Sequence, residues 1–292
     1  MSFTLVLNSS NATGTTNSQF KYNFLNGNFT SKNMEMCISS LTVPYSFFNV
    51  STFYNNQSFT LSFPTIATTQ TLAITLPAGF YTVTDINNYI QNQCILAGLY
   101  LRNSSNQYVY FFEMAYNTTY YSVQFVSSPV PTAATYVAAG YSLASTGTYS
   151  TSGGLPTSAN QVPQIILPSS GGINTIVGFT AGTYPSSATS ASAISTLSNI
   201  LPVGTTVNSL TFRCNLISNN VTMPSDILDS STINTTFGSN ITYTPSFPKW
   251  ISVTNGTFSN LIFNIVDQNL NTIYAQDPNV AITLMIRKVL PE

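Results

Sequence analysis

The sequence contains no histidine, and only 5% of its 292 residues are charged, against about a quarter in an ordinary soluble domain. Acid–base catalysis and metal binding depend largely on His, Asp, Glu, Lys and Cys side chains. A serine or cysteine nucleophile also needs a general base, which is usually a histidine. The shortage of these groups predicts that the protein is not an enzyme and has no catalytic, cofactor-binding or metal-binding residues.

The sequence also lacks an excess of charge of either sign. It has 7 basic and 8 acidic residues and a net charge of −1. The basic residues are scattered, and only Arg287 and Lys288 are adjacent, whereas binding to phosphates needs clustered Lys and Arg. Nucleic acid is therefore not an expected partner. Weakly charged surfaces favour association between protein copies, because little charge has to be desolvated at the contact.

Cysteine is scarce, and Cys37, Cys94 and Cys214 are far apart with no CxxC motif. This spacing favours three buried, reduced thiols over a disulfide scaffold, which needs more cysteine in a shorter chain. The N-terminal residues lack the basic and apolar regions of a signal peptide. No apolar run approaches the roughly 20 residues of a membrane-spanning helix. Sequons such as that at Asn8 are attributed to the abundance of Asn, Ser and Thr.

What the chain does contain is a period-two alternation of β-branched and aromatic residues, bounded by Asn, Gly, Pro and Ser, which is typical of β-strands. The pattern predicts strands over residues 3–7, 34–43, 58–63, 71–76, 108–114, 120–126, 165–167, 208–217, 240–243, 250–254, 261–266 and 280–288. In the last segment, Ile282, Leu284 and Ile286 alternate with less apolar residues. We expect that strand to be buried on at least one face.

Residues 82–98 have a helical period instead. Thr82 can cap the start of a helix with Asp85 as its capping-box partner, and Gly98 provides a stop. The residues that fall on one stripe of this helix are Ile86, Ile90, Cys94 and Ala97. Residues 108–126 predict a hairpin that follows the helix.

The order of these elements predicts an all-β protein with an insertion. Residues 127–164 are rich in Ser, Thr, Ala, Gly and Pro and predict a long loop, and residues 186–199 are a second such run. The economical arrangement is a β-sandwich of residues 1–76 and 203–292, with a small α+β subdomain of residues 77–202 in one of its loops. About eight outer strands predict a single jelly roll.

Four segments carry a family resemblance. They are the N-terminal strand with residues 38–51, the Leu-Pro-Ala-Gly-Phe-Tyr-Thr entry into the helix within residues 74–86, residues 176–185, and residues 261–270 with the strand at 280–288. In their order and spacing they resemble the penton (minor capsid) proteins of virophages and Polinton/Maverick-type viruses. The resemblance implies a single jelly roll, a homopentamer at the icosahedral vertices of a capsid, and contact with a double-jelly-roll major capsid protein. It also implies synthesis in the host cytoplasm and a final location in the virion.

Four acidic residues outside the helix are candidate site residues. Asp226 and Asp229 are close enough in sequence to form a carboxylate pair, but their Pro-Ser-Asp-Ile-Leu-Asp-Ser context favours solvated residues of a turn or short helical link. Asp267 and Asp277 have neighbours that favour turns. We expect none of them to bind a ligand.

Two glycine pairs and several aromatic residues are further candidates for binding sites. Gly153-Gly154 and Gly171-Gly172 lack the following helix and Lys-Ser/Thr of a phosphate loop. For Trp250, we expect packing in the core rather than a role as an exposed platform on which a sugar stacks. The tyrosines in the insert can be interpreted in two ways, as half-buried strand residues or as a face that recognises a glycan or host surface. These tyrosines are Tyr108, Tyr110, Tyr116, Tyr120, Tyr121, Tyr136, Tyr141 and Tyr149.

Two functions are consistent with these features. The first is a structural capsid component, the penton, whose weakly charged sheet faces assemble with copies of themselves around a five-fold axis. The second is a receptor-binding or glycan-binding β-sandwich, such as a viral fibre head or a lectin. The aromatic and amide content agrees with either one.

Overall fold

The computed structural model describes residues 2–66 and 69–289, and the chain divides into two compact units. Unit 1 consists of Met1–Phe48 and Thr206–Glu292, and unit 2 is Asn49–Thr205. The chain therefore leaves unit 1 once, forms unit 2 and returns.

The strands are numbered in chain order. Unit 1 begins with β1 (Ser2–Asn8), β2 (Ala12–Thr13), β3 (Gln19–Asn23), β4 (Phe29–Ser31) and β5 (Met34–Pro44). Unit 2 contains β6 (Asn56–Pro64), β7 (Thr69–Thr75), β8 (Leu101–Arg102), β9 (Tyr108–Val109), β10 (Phe112–Asn117), β11 (Ser122–Ser127), β12 (Gln164–Leu167), β13 (Gly171–Gly172), β14 (Gly182–Tyr184) and β15 (Ile194–Leu197). Unit 1 ends with β16 (Ser209–Cys214), β17 (Ile227–Thr232), β18 (Asn240–Tyr243), β19 (Ile251–Ser252), β20 (Gly256–Phe258), β21 (Asn260–Asp267) and β22 (Ala281–Lys288).

The helices are short apart from one. Unit 2 contains α1 (Val83–Ala97) and α2 (Asn174–Val177). Single 3-10 turns occur at Ser9–Asn11, Leu25–Gly27, Thr148–Ser150 and Ser152–Gly154. No helix within residues 2–66 and 69–289 is both long enough and apolar enough to cross a membrane.

Unit 1 is a jelly roll. One sheet has the hydrogen-bonding order β1-β22-β5-β18, and the other has the order β17-β16-β21-β3. Every pairing in these two orders is antiparallel. If these strands are lettered B to I in chain order, the sheets become B-I-D-G and F-E-H-C, which is the strand order of a jelly roll. The predicted fold class is confirmed, and the insertion lies in the connection between D and E.

The core of unit 1 follows from the alternation of its strands. Ile282, Leu284 and Ile286 of β22 are fully buried, which confirms the prediction for this strand. From the other sheet, Phe212 and Phe263 are also fully buried. Each such side chain contributes roughly 1.5–3 kcal/mol relative to exposure. Since β-strand side chains alternate between faces, the intervening residues form the outer faces of the sheets.

The strands of the structure differ from the sequence expectation in two ways. The pattern does not predict β3 or β17, and it assigns residues 58–63 and 71–76 to the sandwich. In the structure these last two segments form β6 and β7 of unit 2, where β6 pairs with β7, β12 and β13. Hydrophobic alternation marks a strand as half-buried, but it carries no information on which sheet supplies the partner.

The helix of unit 2 agrees with its local sequence signals. Thr82 caps α1 and forms a reciprocal capping box with Asp85, and Gly98 ends the helix in the left-handed conformation, as predicted. The buried stripe of α1 packs into one hydrophobic cluster with residues of the surrounding strands. The hairpin of β10 and β11 is confirmed, and β15 adds a third strand to it. Residues 128–163, all of which the structure describes, contain two 3-10 turns and isolated bridges rather than longer strands, as expected of a long loop.

Candidate functional site

The charged side chains of unit 1 are largely engaged with one another. Arg213 pairs with Asp226 at 2.8 Å, Lys249 with Asp229 at 2.7 Å, and Arg287 with Glu35 at 2.8 Å. In the part of the chain that the structure describes, no group of three or more His, Cys, Asp or Glu side chains is placed to hold a metal ion. Cys37, Cys94 and Cys214 are free and buried, as predicted.

For Asp229 the sequence interpretation is wrong. It lies within β17 rather than in a solvated turn, and its side chain is only 6% exposed. Its carboxylate accepts hydrogen bonds from the Tyr243 hydroxyl and from Lys249 Nζ. The bond to Asp229 raises the pKa of Lys249, and burial raises the pKa of Tyr243. The cluster therefore ties β17 to the end of β18 and to the segment that follows it.

Asp226 does not form a carboxylate pair with Asp229, because each of them is bound to a different cation. Both carboxylate oxygens of Asp226 lie 3.1 Å from Arg213 Nε. The Asp226 side chain is more exposed than that of Asp229, 30% against 6%. The geometry of its pair with Arg213 is that of a strand-to-strand clamp, in which neither carboxylate is free to act on a ligand.

The other candidate acidic residues are turn residues, as predicted. Asp267 Oδ1 accepts hydrogen bonds from the backbone amides of Asn269 and Asn271 after β21. Asp277 Oδ1 accepts one from the amide of Asn279. Aspartates commonly stabilise turns in this way.

The glycine pairs also have structural positions. Gly154 ends a 3-10 turn, and Gly171 and Gly172 form β13, which pairs with β6. The helix after β13 is only four residues long. Neither pair forms the loop-and-helix arrangement of a phosphate-binding site.

The tyrosines of unit 2 divide between the two interpretations. Tyr149 is fully buried, and its hydroxyl donates a hydrogen bond of 2.8 Å to the carbonyl of Pro64. At the β10–β11 turn, by contrast, Tyr116, Tyr120 and Tyr121 are 41%, 68% and 63% exposed. We call these three residues the tyrosine tip. It is uncharged and aromatic, and it is the part of unit 2 that best fits a recognition surface.

The tyrosine tip has a defined shape. The rings of Tyr116 and Tyr121 meet edge to face with their centroids 5.9 Å apart. The Asn117 side chain accepts hydrogen bonds from the amides of Thr119 and Tyr120, which holds the turn. Tyr121 has a φ of +49°, a left-handed conformation that costs energy for a residue with a bulky side chain. The turn thus keeps an aromatic residue where asparagine or glycine would be less strained.

Trp250 is neither a core residue nor an open platform, so the expectation of core packing is wrong. It is partly buried, and the Arg287 guanidinium lies 4.0 Å from the centre of its ring. Arg287 in turn donates two hydrogen bonds to Glu35. One face of the indole is thus covered by a cation that an ion pair holds in place.

The outer face of the β1-β22-β5-β18 sheet is mostly uncharged. We call it the B-I-D-G face. Among the described residues, its one ion pair is at the end where Arg287 of β22 lies opposite Glu35 of β5. The other residues of this face alternate with the core residues of the same strands and are small, hydroxylated or apolar; they include Thr4, Val6, Ser40, Thr42, Thr242, Ala281, Thr283 and Met285. A partner could cover this part of the face without desolvating an ion.

The outer face of the other sheet is different in character. Arg213 and Lys21 lie on it, and Arg213 brings its partner Asp226. It also borders a pocket of about 430 Å³ whose lining includes Thr13, Gln19 and Asn264. Gln19 and Asn264 are hydrogen-bonded to each other within this pocket. Of the two faces, the B-I-D-G face is the better candidate for a large contact between protein copies.

The B-I-D-G sheet also has an unprotected edge. β1 pairs with β22 over seven residues without a register shift, and it ends the sheet. Its sequence contains no charge and no proline, which are the usual features that prevent edge strands from pairing with other chains. Val6 on this strand is 55% exposed. The edge adjoins the uncharged part of the B-I-D-G face, away from the ion pair of Arg287 with Glu35.

No family model matches the chain, and no curated protein matches it. Among solved structures, the chain is similar to the mavirus penton protein, with a TM-score of 0.39 and 7% identity, covering 99% of this chain and 100% of that one. It is also similar to a chain of the Sputnik virophage cryo-EM structure, with a TM-score of 0.36 and 10% identity, covering 98% of each chain.

Proposed function

We propose that the protein is a structural capsid subunit, a penton that forms homopentamers at icosahedral vertices. The observation that carries the proposal is the weakly charged B-I-D-G face on a jelly roll, whose ion pair lies at its end, together with the unprotected edge of β1. The sequence resemblance to virophage penton proteins supports the same conclusion. In this role the protein is not an enzyme. It is made in the host cytoplasm and resides in the virion, where it contacts a major capsid protein.

The assembly follows from ordinary interface physics. A contact between two different surfaces of identical subunits closes into a ring when the rotation between them fits. A sheet of four strands, each about seven residues long, covers about 450 Å² in projection. A stable interface buries about 800 Å² on each partner. The B-I-D-G face therefore supplies about half of a contact, and surrounding loops supply the rest.

The test is the oligomeric state of the purified protein and of surface variants. Light scattering and negative-stain imaging should show pentameric rings. Val6→Lys and Thr242→Lys place a charge on the B-I-D-G face and should shift the protein to monomers without unfolding it. The matched control is Asn23→Lys, which adds a charge at an exposed position of β3 in the other sheet and should leave the rings intact. A monomeric wild-type protein at its highest soluble concentration would refute the proposal.

A second candidate function rests on the tyrosine tip. Receptor or glycan recognition by unit 2 would explain why three tyrosines are exposed at one rigid turn that carries no charge. A glycan array with the wild-type protein and with Tyr120→Ser tests it directly. Selective binding that the variant loses would support recognition. Absence of binding across the array would remove the glycan version of this function.

A further inference from the structure

One end of the jelly roll in unit 1 combines exposed apolar side chains with unpaired lysines. This end contains residues 24–33, which connect β3 to β5, residues 215–226, which connect β16 to β17, and the end of β22. We call it the C-D/E-F end. The amide of Val289 donates to the carbonyl of Asn33, and the amide of Ser218 donates to that of Ser252 beside β5. These bonds place the three segments at the same end of the two sheets.

The apolar side chains at this end are almost completely exposed. Leu25 is 81% exposed, Val221 is 89% exposed and Met223 is 96% exposed. Side chains in these positions contribute almost nothing to the core. Single exposed apolar residues are common on protein surfaces, but here three aliphatic side chains project from two connections at one end of the same unit.

The unpaired charges among the described residues of this end are both positive. Lys32 precedes β5 by two residues, and Lys288 of β22 lies opposite Met34, the first residue of β5. Neither lysine forms an ion pair with a residue in the described ranges 2–66 and 69–289. The acidic residues of these ranges at this end, Glu35 and Asp226, are neutralised by Arg287 and Arg213.

We propose that the C-D/E-F end binds the surface of a lipid bilayer that contains anionic headgroups. Leu25, Val221 and Met223 would insert at the boundary between headgroups and acyl chains, and Lys32 and Lys288 would contact the anionic headgroups. The exposure of the apolar side chains favours a bilayer over a protein partner. They project singly, so they suit a fluid surface that adapts to them. This property is independent of pentamer formation.

Vesicle co-sedimentation tests the proposal with the full chain. The wild-type protein should bind vesicles of phosphatidylcholine mixed with phosphatidylserine, and should bind phosphatidylcholine alone much more weakly. The triple variant Leu25→Ser, Val221→Ser, Met223→Ser should lose at least about tenfold in binding. The double variant Lys32→Gln, Lys288→Gln should lose about fivefold per lysine and become less sensitive to salt.

The control is Leu96→Ser, which removes a side chain that is 71% exposed but lies on α1 of unit 2. It should bind like the wild type, and Trp250 fluorescence shows whether unit 1 of each variant is folded. The proposal is overturned if the wild type does not bind anionic vesicles, or if both the triple and the double variant bind undiminished. Binding to soluble polyglutamate but not to vesicles would instead indicate an acidic protein partner. None of these outcomes alters the light-scattering test of the pentamer.

Discussion

Replacing Asp229 with alanine should destabilise unit 1 far more than the same change at Asp226, although both residues belong to ion pairs on neighbouring positions of the chain. The Asp229 side chain is 6% exposed and accepts hydrogen bonds from Tyr243 and Lys249. The Asp226 side chain is 30% exposed and is bound to Arg213 alone. The two variants remove the same atoms from environments of different burial.

The size of the effect can be worked from these contacts. A hydrogen bond to a charged group contributes about 1.5–3 kcal/mol to stability, which applies to the bond from Tyr243. Lys249 is 59% exposed, so its attraction to Asp229 is screened and adds about 1 kcal/mol or less. We expect Asp229→Ala to cost about 3 kcal/mol. Asp226→Ala removes a half-exposed pair and should cost about 1 kcal/mol.

Urea denaturation followed by tryptophan fluorescence measures this difference. Trp250 is the only tryptophan and lies in unit 1, so its signal reports the unit that carries both ion pairs. With a denaturant dependence of about 2 kcal/mol per molar, the midpoint for Asp229→Ala should fall by about 1.5 M, and that for Asp226→Ala by about 0.5 M. Equal shifts for the two variants would show that burial does not set the strength of these pairs and would refute the reasoning.

Three further predictions concern the backbone and the thiols. Tyr121→Asn should raise the stability of unit 2 by about 1 kcal/mol, because asparagine tolerates the left-handed conformation better, and a thermal melt should show a rise of about 3 °C. Gly98→Ala should lower the stability of unit 2 by more than about 3 kcal/mol in the same thermal melt, since a Cβ there would overlap a backbone carbonyl in addition to the strain of a φ of +66°. Gly27→Ala in unit 1, at a φ of +76° with nothing within 4 Å, should cost only about 1 kcal/mol in the urea assay with Trp250 fluorescence. Burial raises the pKa of Cys214 to about 12 from an ordinary value of 9.0. The neutral thiol therefore stabilises the fold fully below pH 9.0, and this contribution is lost as the pH rises towards 12. The urea midpoint of the wild type should fall over that range, and that of Cys214→Val should fall less.

Much of the architecture could be predicted because its signals are local. The helix α1 is bounded by Thr82, Asp85 and Gly98, which act within one turn of each end. The alternation of Ile282, Leu284 and Ile286 is a property of a single strand. The turns at Asp267 and Asp277 depend on side-chain bonds to amides a few residues away. In each case the physical cause lies within a few residues of its effect.

The candidate surfaces were less predictable, because they depend on which strands become neighbours. The sequence indicates a weakly charged protein, but the B-I-D-G face exists only because β1, β22, β5 and β18 align their small polar residues on one side. The sequence does not distinguish the tyrosine tip from the buried Tyr149, because the tip is exposed by the β10–β11 hairpin and Tyr149 is buried by packing in a separate 3-10 turn. Which of them is exposed could not be read from spacing alone.

The sequence by itself therefore determined the β-rich class, the single capped helix, the interrupted sandwich and the scarcity of ionisable groups. Tertiary structure alone decided that β17 pairs with β16, that residues 56–75 belong to unit 2, and that Asp229 meets Lys249 across 20 positions of chain. The physical reason is that capping and alternation are short-range properties of the chain. Strand pairing and the burial of a carboxylate are set by distant segments, whose contributions appear only when the two sheets come together.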